Sequence, residues 1–341
     1  MYKVGIIGLG KMGISHCSII GAHPDVKEVH ICDTSKFLIS AFKKHSNFIC
    51  HKDYESMISQ NKFDIIIIST PTKFHYSMVK LALKNNCHVF CEKPFILNVE
   101  DGIKLAKYAD EKKIVNQVGF HNRFIGTFKL MKKLIDKNIL GTLFNIKGEA
   151  YGPVVIKKDN KNWRSKPEEG GGCLYDYASH VINLMQFMVG TPNKVSGTFL
   201  KKIYSNQVED AVYSSFTYDH VLSGQISVNW SEETYRKMST KIEIFGEKGK
   251  IIADSQECQV FLKEDSDIHD LNKGWNSFWL TDQTNPVFFN LRGEEYSEQI
   301  DYFIQCIKNG NHSKNINSFF ESVKTDRVIE MLREDHRLTN E

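Results

Sequence analysis

Several common signatures are missing from this chain of 341 residues. No apolar run approaches the roughly 20 residues that a membrane helix needs, so no membrane span is expected. The start, Met1-Tyr2-Lys3, runs straight into Val4-Gly5-Ile6-Ile7. It lacks the charged start, long apolar stretch and small-residue cleavage site of a secretory signal. The eight cysteines (Cys17, Cys32, Cys50, Cys87, Cys91, Cys173, Cys258, Cys306) include no C-x-x-C pair. That spacing argues against a zinc site or a disulfide framework, and several of these thiols sit inside apolar runs as small hydrophobes. No basic block stands out either: 44 Lys and Arg face 41 Asp and Glu, for a net charge of +3. Nucleic acid and membrane surfaces are therefore not expected partners. Internal repeats and low-complexity tracts are also lacking. A cytoplasmic protein in a reducing compartment is the expectation.

The mix of 41% hydrophobic and 25% charged residues is that of a globular protein, and the length suits two domains rather than one. Residues 1–121 alternate short β-rich runs with helical patterns. The runs are Val4–Ile7, Val29–Cys32, Asp64–Ser69, Val89–Cys91 and Val115–Val118. Four consecutive isoleucines, Ile65 to Ile68, suit a strand buried on both faces. Ser77–Lys84 and Val99–Lys112 have helical patterns, the second preceded by Asn98 as an N-cap with Asp101 three residues on. Repeated β-α-β units predict a doubly wound parallel sheet with right-handed crossovers.

Residues 122–341 change character. Phe144–Tyr151, Val195–Tyr204, Asp210–Tyr218, Val221–Trp230 and Lys241–Phe245 resemble longer, partly alternating strands separated by turns such as Gly246-Glu247-Lys248-Gly249. They predict an α+β domain with a mostly antiparallel sheet. One helix, Leu174–Val189, interrupts them and is closed by Gly190 and Pro192. Two helical patterns, Glu294–Lys308 and Ser318–Arg333, end the chain, and the polar stretch Lys263–Asn276 is expected to be a loop.

Gly8-Leu9-Gly10-Lys11-Met12-Gly13 is a G-x-G-x-x-G motif between the predicted strand Val4–Ile7 and a helix starting near Ile14. Gly8 would make the tight turn, Gly10 would admit a pyrophosphate and Gly13 would let helix and strand pack, with helix N–H groups facing the phosphates. Asp33 comes 20 residues after Gly13, at the end of the second strand. A carboxylate there accepts from the ribose hydroxyls of NAD and repels the 2′-phosphate of NADP. NAD is therefore the expected cofactor, with NADP kept open by the nearby Lys36. The competing reading is a glycine-rich turn with a surface aspartate.

Two further stretches carry chemistry. Glu92-Lys93-Pro94 follows the strand Val89–Cys91 at the carboxyl edge of the expected sheet, where doubly wound folds bind ligands. By spacing alone, a solvated surface lysine explains Lys93 better than a catalytic one does. Asp176 and His180 are four apart on the expected helix, with Asn183 extending their face. A histidine beside a carboxylate suits a general base, and it equally suits a surface ion pair. The segment offers too few ligands for a metal, so none is expected.

In its order of motifs the chain resembles the Gfo/Idh/MocA oxidoreductases. The residues that carry the resemblance are Gly8-x-Gly10-x-x-Gly13, Ser69-Thr70-Pro71 with His75, His88-Val89-Phe90-Cys91-Glu92-Lys93-Pro94, Trp163-Arg164, Gly170-Gly171-Gly172 and Asp176-x-x-x-His180. The resemblance implies a Rossmann domain followed by a domain with an open, mostly antiparallel sheet. It implies an NAD(P)-dependent dehydrogenase acting on CH–OH groups of sugars, nucleotide sugars or cyclic polyols. Lys11, Met12, Ser69, Thr70, Pro71 and His75 would line the cofactor site, with Glu92 and Lys93 near the nicotinamide. His180 would be the acid–base group and Asp176 its companion. Arg123, Trp163, Arg164 and Asn183 would meet substrate. Inositol-type members often carry aspartate where this chain has Asn183, which makes inositol a less favoured substrate. Two other readings share the cofactor motif: an NAD-retaining glycoside hydrolase and an inactive dinucleotide-binding regulator. The retained Lys93, Asp176 and His180 argue against the regulator. A homodimer or homotetramer is expected, because an open sheet face calls for a cover.

Overall fold

Short apolar runs with helices between them close into a six-stranded parallel sheet. The strands are β1 (Tyr2–Ile7), β2 (Val26–Cys32), β3 (Ile49–His51), β4 (Ile65–Ile68), β5 (His88–Cys91) and β6 (Asn116–Val118). A computed structural model describes residues 1–155, 163–267, 271–312 and 315–340 of the chain. The strand order is β3-β2-β1-β4-β5-β6, every neighbouring pair is parallel, and this is the Rossmann arrangement. Helices α1 (Lys11–Ala22), α2 (Lys36–His45), α3 (Tyr54–Gln60), α4 (His75–Lys84) and α5 (Val99–Glu111) join the strands. Ile66 and Ile68 enter a core with Val79, Leu83 and Leu105, while Ile65 and Ile67 enter another with Ile19 and Ile20 of α1. All four isoleucines are fully buried, as a strand covered on both faces requires.

The second sheet has eight strands in the order β14-β13-β12-β11-β7-β10-β9-β8. They are β7 (Leu143–Tyr151), β8 (Lys194–Lys201), β9 (Ala211–Thr217), β10 (Ser223–Asn229), β11 (Ser239–Gly246), β12 (Gly249–Asp254), β13 (Glu257–Leu262) and β14 (Gly274–Trp279). Every junction is antiparallel except β7 with β10, which is parallel. Helices α6 (Gly126–Asp136) and α7 (Ser179–Val189) pack on one face, and the short α8 (Leu280–Gln283) follows β14. Period-two alternation explains the two faces: Ile242 and Ile244 of β11 are buried, whereas Lys241, Glu243 and Phe245 point the other way. Trp275 and Trp279 of β14 lie on that second face, each more than half exposed.

Three sequence expectations change here. The expected loop Lys263–Asn276 gives up Gly274 to Asn276 to β14, and its residues 268–270 lie outside the described residues. An edge strand with outward Trp275, Ser277 and Trp279 shows no buried stripe of its own, so its sequence resembles a loop. The expected strand Val195–Tyr204 stops at Lys201. Ile203, Tyr204 and Ser205 instead turn around the buried Asp210, whose carboxylate accepts their three backbone N–H groups at 2.6–2.8 Å and the Trp230 indole N–H at 2.7 Å. The expected helix Leu174–Val189 opens with a π-helical turn, Leu174–Ala178, before α7.

The chain forms two compact units: Met1–His121 with Pro286–Val323, and Asn122–Asn285 with Lys324–Glu341. In the returning segment, α9 (Glu294–Lys308) inserts Ile300, Phe303 and Ile304 into the core of Val4, Ile6, Ile19 and Phe90. The last helix, α10 (Phe319–Asn340), starts in the first unit, where Phe319 stacks on Phe95 with ring centres 4.2 Å apart. An amphipathic pattern marks α9 as helix but carries no record of which sheet it covers. Among the described residues, no helix is long and apolar enough to cross a membrane.

Candidate active site

In the first unit the candidate site grows from the turn after β1. Gly8 has φ +91°, and a Cβ there would press on the Ser69 carbonyl at 2.8 Å. A Cβ on Gly13 would overlap the Gly8 carbonyl oxygen. Both positions therefore need glycine for α1 to start this close to β1 and β4. The Ser69 hydroxyl completes the turn by donating to the Gly8 carbonyl at 2.8 Å.

This turn fits a dinucleotide. Space is open around the Gly10 Cα, and α1 starts with no side-chain cap and no acidic residue in its first turn. The helix N-terminus therefore presents N–H groups and the positive end of its dipole without a competing carboxylate. Lys11 and Met12 lie in that first turn. Asp33, just past β2, is held in place by the Leu9 N–H at 2.6 Å and the Ser35 N–H at 2.7 Å, one on each carboxylate oxygen. Each oxygen keeps a lone pair for a ribose hydroxyl.

The loop after β4 and the loop after β5 are tied together. His75, only 1% exposed, faces the Thr70 carbonyl through Nε2 at 2.9 Å and the Pro94 and Phe95 carbonyls through Nδ1 at 3.1 and 3.0 Å. Burial pushes its pKa below the usual histidine range. His75 therefore works as a strut between two loops rather than as an open cofactor contact. Thr70 directs its hydroxyl to the Met78 sulfur at 3.4 Å, and Pro71 stands in extended conformation before the next helical turn.

Glu92 and Lys93 follow β5, and the Lys93–Pro94 peptide is cis. Glu92 is buried, and its Oε1 meets Nε2 of the fully buried His16 at 2.7 Å. A Cβ on Gly119 would lie 3.0 Å from the Glu92 carboxyl, so a glycine is what lets the loop after β6 approach it. Nearby, His121 stacks on Tyr296 of α9 with ring centres 4.5 Å apart. Burial pushes the His121 pKa down to about 4. Arg292, whose backbone has φ +70°, lies over the same Tyr296 ring and reaches the Ser15 hydroxyl at 3.5 Å.

The second unit carries its own cluster of expected site residues. Asp176 lies in the π-helical turn, and His180 lies in the first turn of α7. Both are buried, at 7% and 4% exposure. One continuous α-helix is expected to carry both residues, but Asp176 lies in a π-helical turn that leads into α7 and His180, a feature frequent at functional sites. The Arg164 Nε–H donates to Asp176 Oδ2 at 2.9 Å, and the guanidinium lies over the Trp163 ring at 4.8 Å. The run Gly170-Gly171-Gly172 supports this arrangement: the Gly172 N–H donates to the Arg164 carbonyl at 3.0 Å, and a Cβ on Gly171 would overlap that carbonyl. Glu209 accepts the Leu174 N–H at 2.8 Å at the start of the π-turn, and burial raises its carboxyl pKa.

Arg123 and Asn183 are placed on each other. The Arg123 Nε–H donates to Asn183 Oδ1 at 2.6 Å and its Nη2 to the Asn183 carbonyl at 3.0 Å. Asn183 Nδ2 donates to Thr325 of α10, whose hydroxyl donates to Gln186. Arg123 and Asn183 are 2% and 1% exposed, so they hold α7 from behind. Both side-chain groups of Asn183 thus have partners within the protein.

Sequence reasoning missed His16, His121, Arg292 and Tyr296 in the first unit, and Glu209 and Thr325 in the second. His16 follows Gly13 by three residues, which is the one local cue. The others have none, since their partners are remote in sequence. Among the described residues, no group of three or more His, Cys, Asp or Glu side chains is placed to hold a metal ion.

Comparison with known proteins follows these two halves. Residues 2–120 match the family model described as "Oxidoreductase family, NAD-binding Rossmann fold" and residues 128–252 the "GFO/IDH/MocA C-terminal domain". An uncharacterised oxidoreductase of Schizosaccharomyces pombe is 25% identical over 61% of this chain, a match that spans only 58% of that protein's length. The myo-inositol 2-dehydrogenase of Thermotoga maritima is 23% identical over 90% of this chain and 89% of its own. A levoglucosan dehydrogenase solved with NADH shares the fold, with a TM-score of 0.87 at 21% identity over 98% of this chain and 97% of that one. With both family models matched in order over more than two thirds of its length, the chain belongs to the Gfo/Idh/MocA family of NAD-binding oxidoreductases.

Proposed function

We propose that the chain transfers a hydride between the nicotinamide of NAD and a secondary hydroxyl or ketone of a sugar, nucleotide sugar or cyclic polyol. The observation that carries this reading is the uncapped N-terminus of α1 beside a fixed Asp33, in a chain whose relatives include a myo-inositol and a levoglucosan dehydrogenase. Bound NAD supplies the hydride acceptor. Gly8, Gly10, Lys11, Met12 and Gly13 hold the pyrophosphate, Asp33 holds the ribose, and Ser69, Thr70 and Pro71 line the site, with His75 keeping their loop in place.

His180 takes the hydroxyl proton during oxidation and returns it during reduction. Asp176, paired with Arg164, orients the same hydroxyl network. Lys93 places positive charge beside the developing alkoxide, an interaction that strengthens in the transition state. Trp163 and Arg164 meet the substrate ring, and Arg123 with Asn183 fixes the helix that carries His180. The protein works in the cytoplasm, and the face of the second sheet that carries Trp275 and Trp279 is where a second copy docks in a homodimer or homotetramer. Sedimentation at micromolar concentration as a clean monomer would overturn that assembly.

Titration with NADH and NADPH, followed by a panel of sugars, inositols and nucleotide sugars scored by absorbance of the reduced cofactor, tests the reaction. Lys93→Ala and His180→Ala are each expected to lower turnover more than about tenfold while NADH still binds. Normal turnover in both would sink the assignment. Sugar release without net NADH would favour the glycoside hydrolase instead.

A further inference from the structure

Glu92 is a carboxylate kept in a place that disfavours charge. It is 8% exposed; its Oε1 meets His16 on the pyrophosphate helix, itself fully buried, and its Oε2 accepts the Lys93 N–H at 3.3 Å. His16 Nδ1 is buried with no hydrogen-bond partner. A hydrogen on Nδ1 would be an unsatisfied buried donor, so the hydrogen sits on Nε2 and points at Glu92. Burial alone would raise the Glu92 carboxyl. The His16 hydrogen bond, with the charge of Lys93 beside it, outweighs burial and holds the carboxyl below the usual glutamate range. The titratable groups facing Glu92 are His16 from α1, Lys93 on its own loop, His75 from α4, His121 after β6 and Tyr296 from α9.

We propose that the buried Glu92, hydrogen-bonded to His16, sets the relative affinity of the site for oxidised and reduced cofactor. This rests on the reading above that Glu92 and Lys93 lie by the nicotinamide. The oxidised ring carries a positive charge and the reduced ring none, so a fixed buried carboxylate stabilises NAD over NADH. His16 thus acts as a positioning residue: it touches no reacting atom and works through the charge of Glu92. One consequence follows for direction: this pair biases the enzyme toward holding the oxidised cofactor and releasing the reduced one.

The test is calorimetric or fluorescence titration of the full chain with NAD and with NADH, from pH 6 to pH 9. Glu92→Gln keeps the shape and removes the charge. It should lower the ratio of NAD to NADH affinity about fivefold or more at every pH. His16→Leu removes the donor but leaves Glu92 buried, so the carboxyl's pKa rises. The ratio should fall as in Glu92→Gln at pH 6 and recover toward the wild-type value by pH 9. His16→Gln retains an N–H donor and should stay within about twofold of wild type throughout. Both cofactors binding Glu92→Gln in the wild-type ratio would overturn the proposal and leave the dehydrogenase reading intact. A flat pH response in His16→Leu would overturn the part played by His16. Wild-type protein that binds neither cofactor would defeat the dehydrogenase reading itself.

Discussion

Gly13 in the dinucleotide-binding unit and Asn183 in the second unit are both buried, yet they act by different means. Gly13 contributes the absence of a side chain: any Cβ would overlap the Gly8 carbonyl. Asn183 contributes three hydrogen bonds, two from Arg123 and one to Thr325. The first unit builds its site from backbone shape, the second from a side-chain network. Backbone shape leaves a short, local imprint on sequence, because few residues other than glycine satisfy it. A network leaves a diffuse one, because its members are distant in the chain and many polar residues could fill each place.

The largest expected effect strikes backbone shape. Gly13→Val should weaken NADH binding roughly 100-fold, since α1 must move away from β1 and β4 to accommodate the side chain. Titration by protein fluorescence measures this, with circular dichroism to check folding. Retained affinity would mean that the turn tolerates a side chain and that the contrast between the units is false.

A smaller effect is expected where the second unit depends on one carboxylate. Asp210→Ala strips the acceptor from the Ile203, Tyr204 and Ser205 N–H groups and from the Trp230 indole. It should cost about 2 kcal/mol in urea unfolding. Burial would raise the Asp210 carboxyl, but bonds from Ser205, Trp230 and Ile203 outweigh it and hold the group below the usual aspartate range. A folded pKa below the unfolded one stabilises above the unfolded value near pH 4 and is lost as pH falls through the folded value. The wild-type unfolding midpoint should therefore drop on acidification below about pH 4 by more than that of Asp210→Ala. Equal acid sensitivity in the two proteins would remove Asp210 as the cause.

The smallest effect tests redundancy in the network. Asn183→Asp is nearly isosteric and keeps the acceptor for Arg123. It loses the donation to Thr325, whose hydroxyl can turn and donate to the new carboxylate. Stability should change by less than about 1 kcal/mol. A loss as large as that of Asp210→Ala would show that the network, like the glycine turn, admits one residue type only.

Legibility followed the same division. Gly8, Gly10, Gly13 and Asp33 are spaced by the geometry of one β-α-β unit, so a local pattern located them. The isoleucine run of β4 declared its burial on both faces. The helix that carries Asp176 and His180 was legible, but its opening π-turn was not, because local sequence does not distinguish a π-turn from the first turn of an α-helix. His75 was expected at the cofactor site, yet its place as a strut depends on the Pro94 and Phe95 carbonyls, about twenty residues away. His16 and Glu92 are separated by 76 residues, and only the sheet order β1-β4-β5 brings them together.

By itself the sequence determined the Rossmann order of the first sheet, the cofactor turn and the strand-rich character of the second half. Each of these follows from local periodicity or from positions that only glycine satisfies. The tertiary structure alone decided that Pro286–Val323 returns to the first unit, that β7 and β10 run parallel, that Arg123 and Asn183 hold each other, and that Glu92 is sealed beside His16. These outcomes depend on which surfaces meet, and pairings between residues far apart in the chain are chosen by packing and by the need to satisfy every buried polar group.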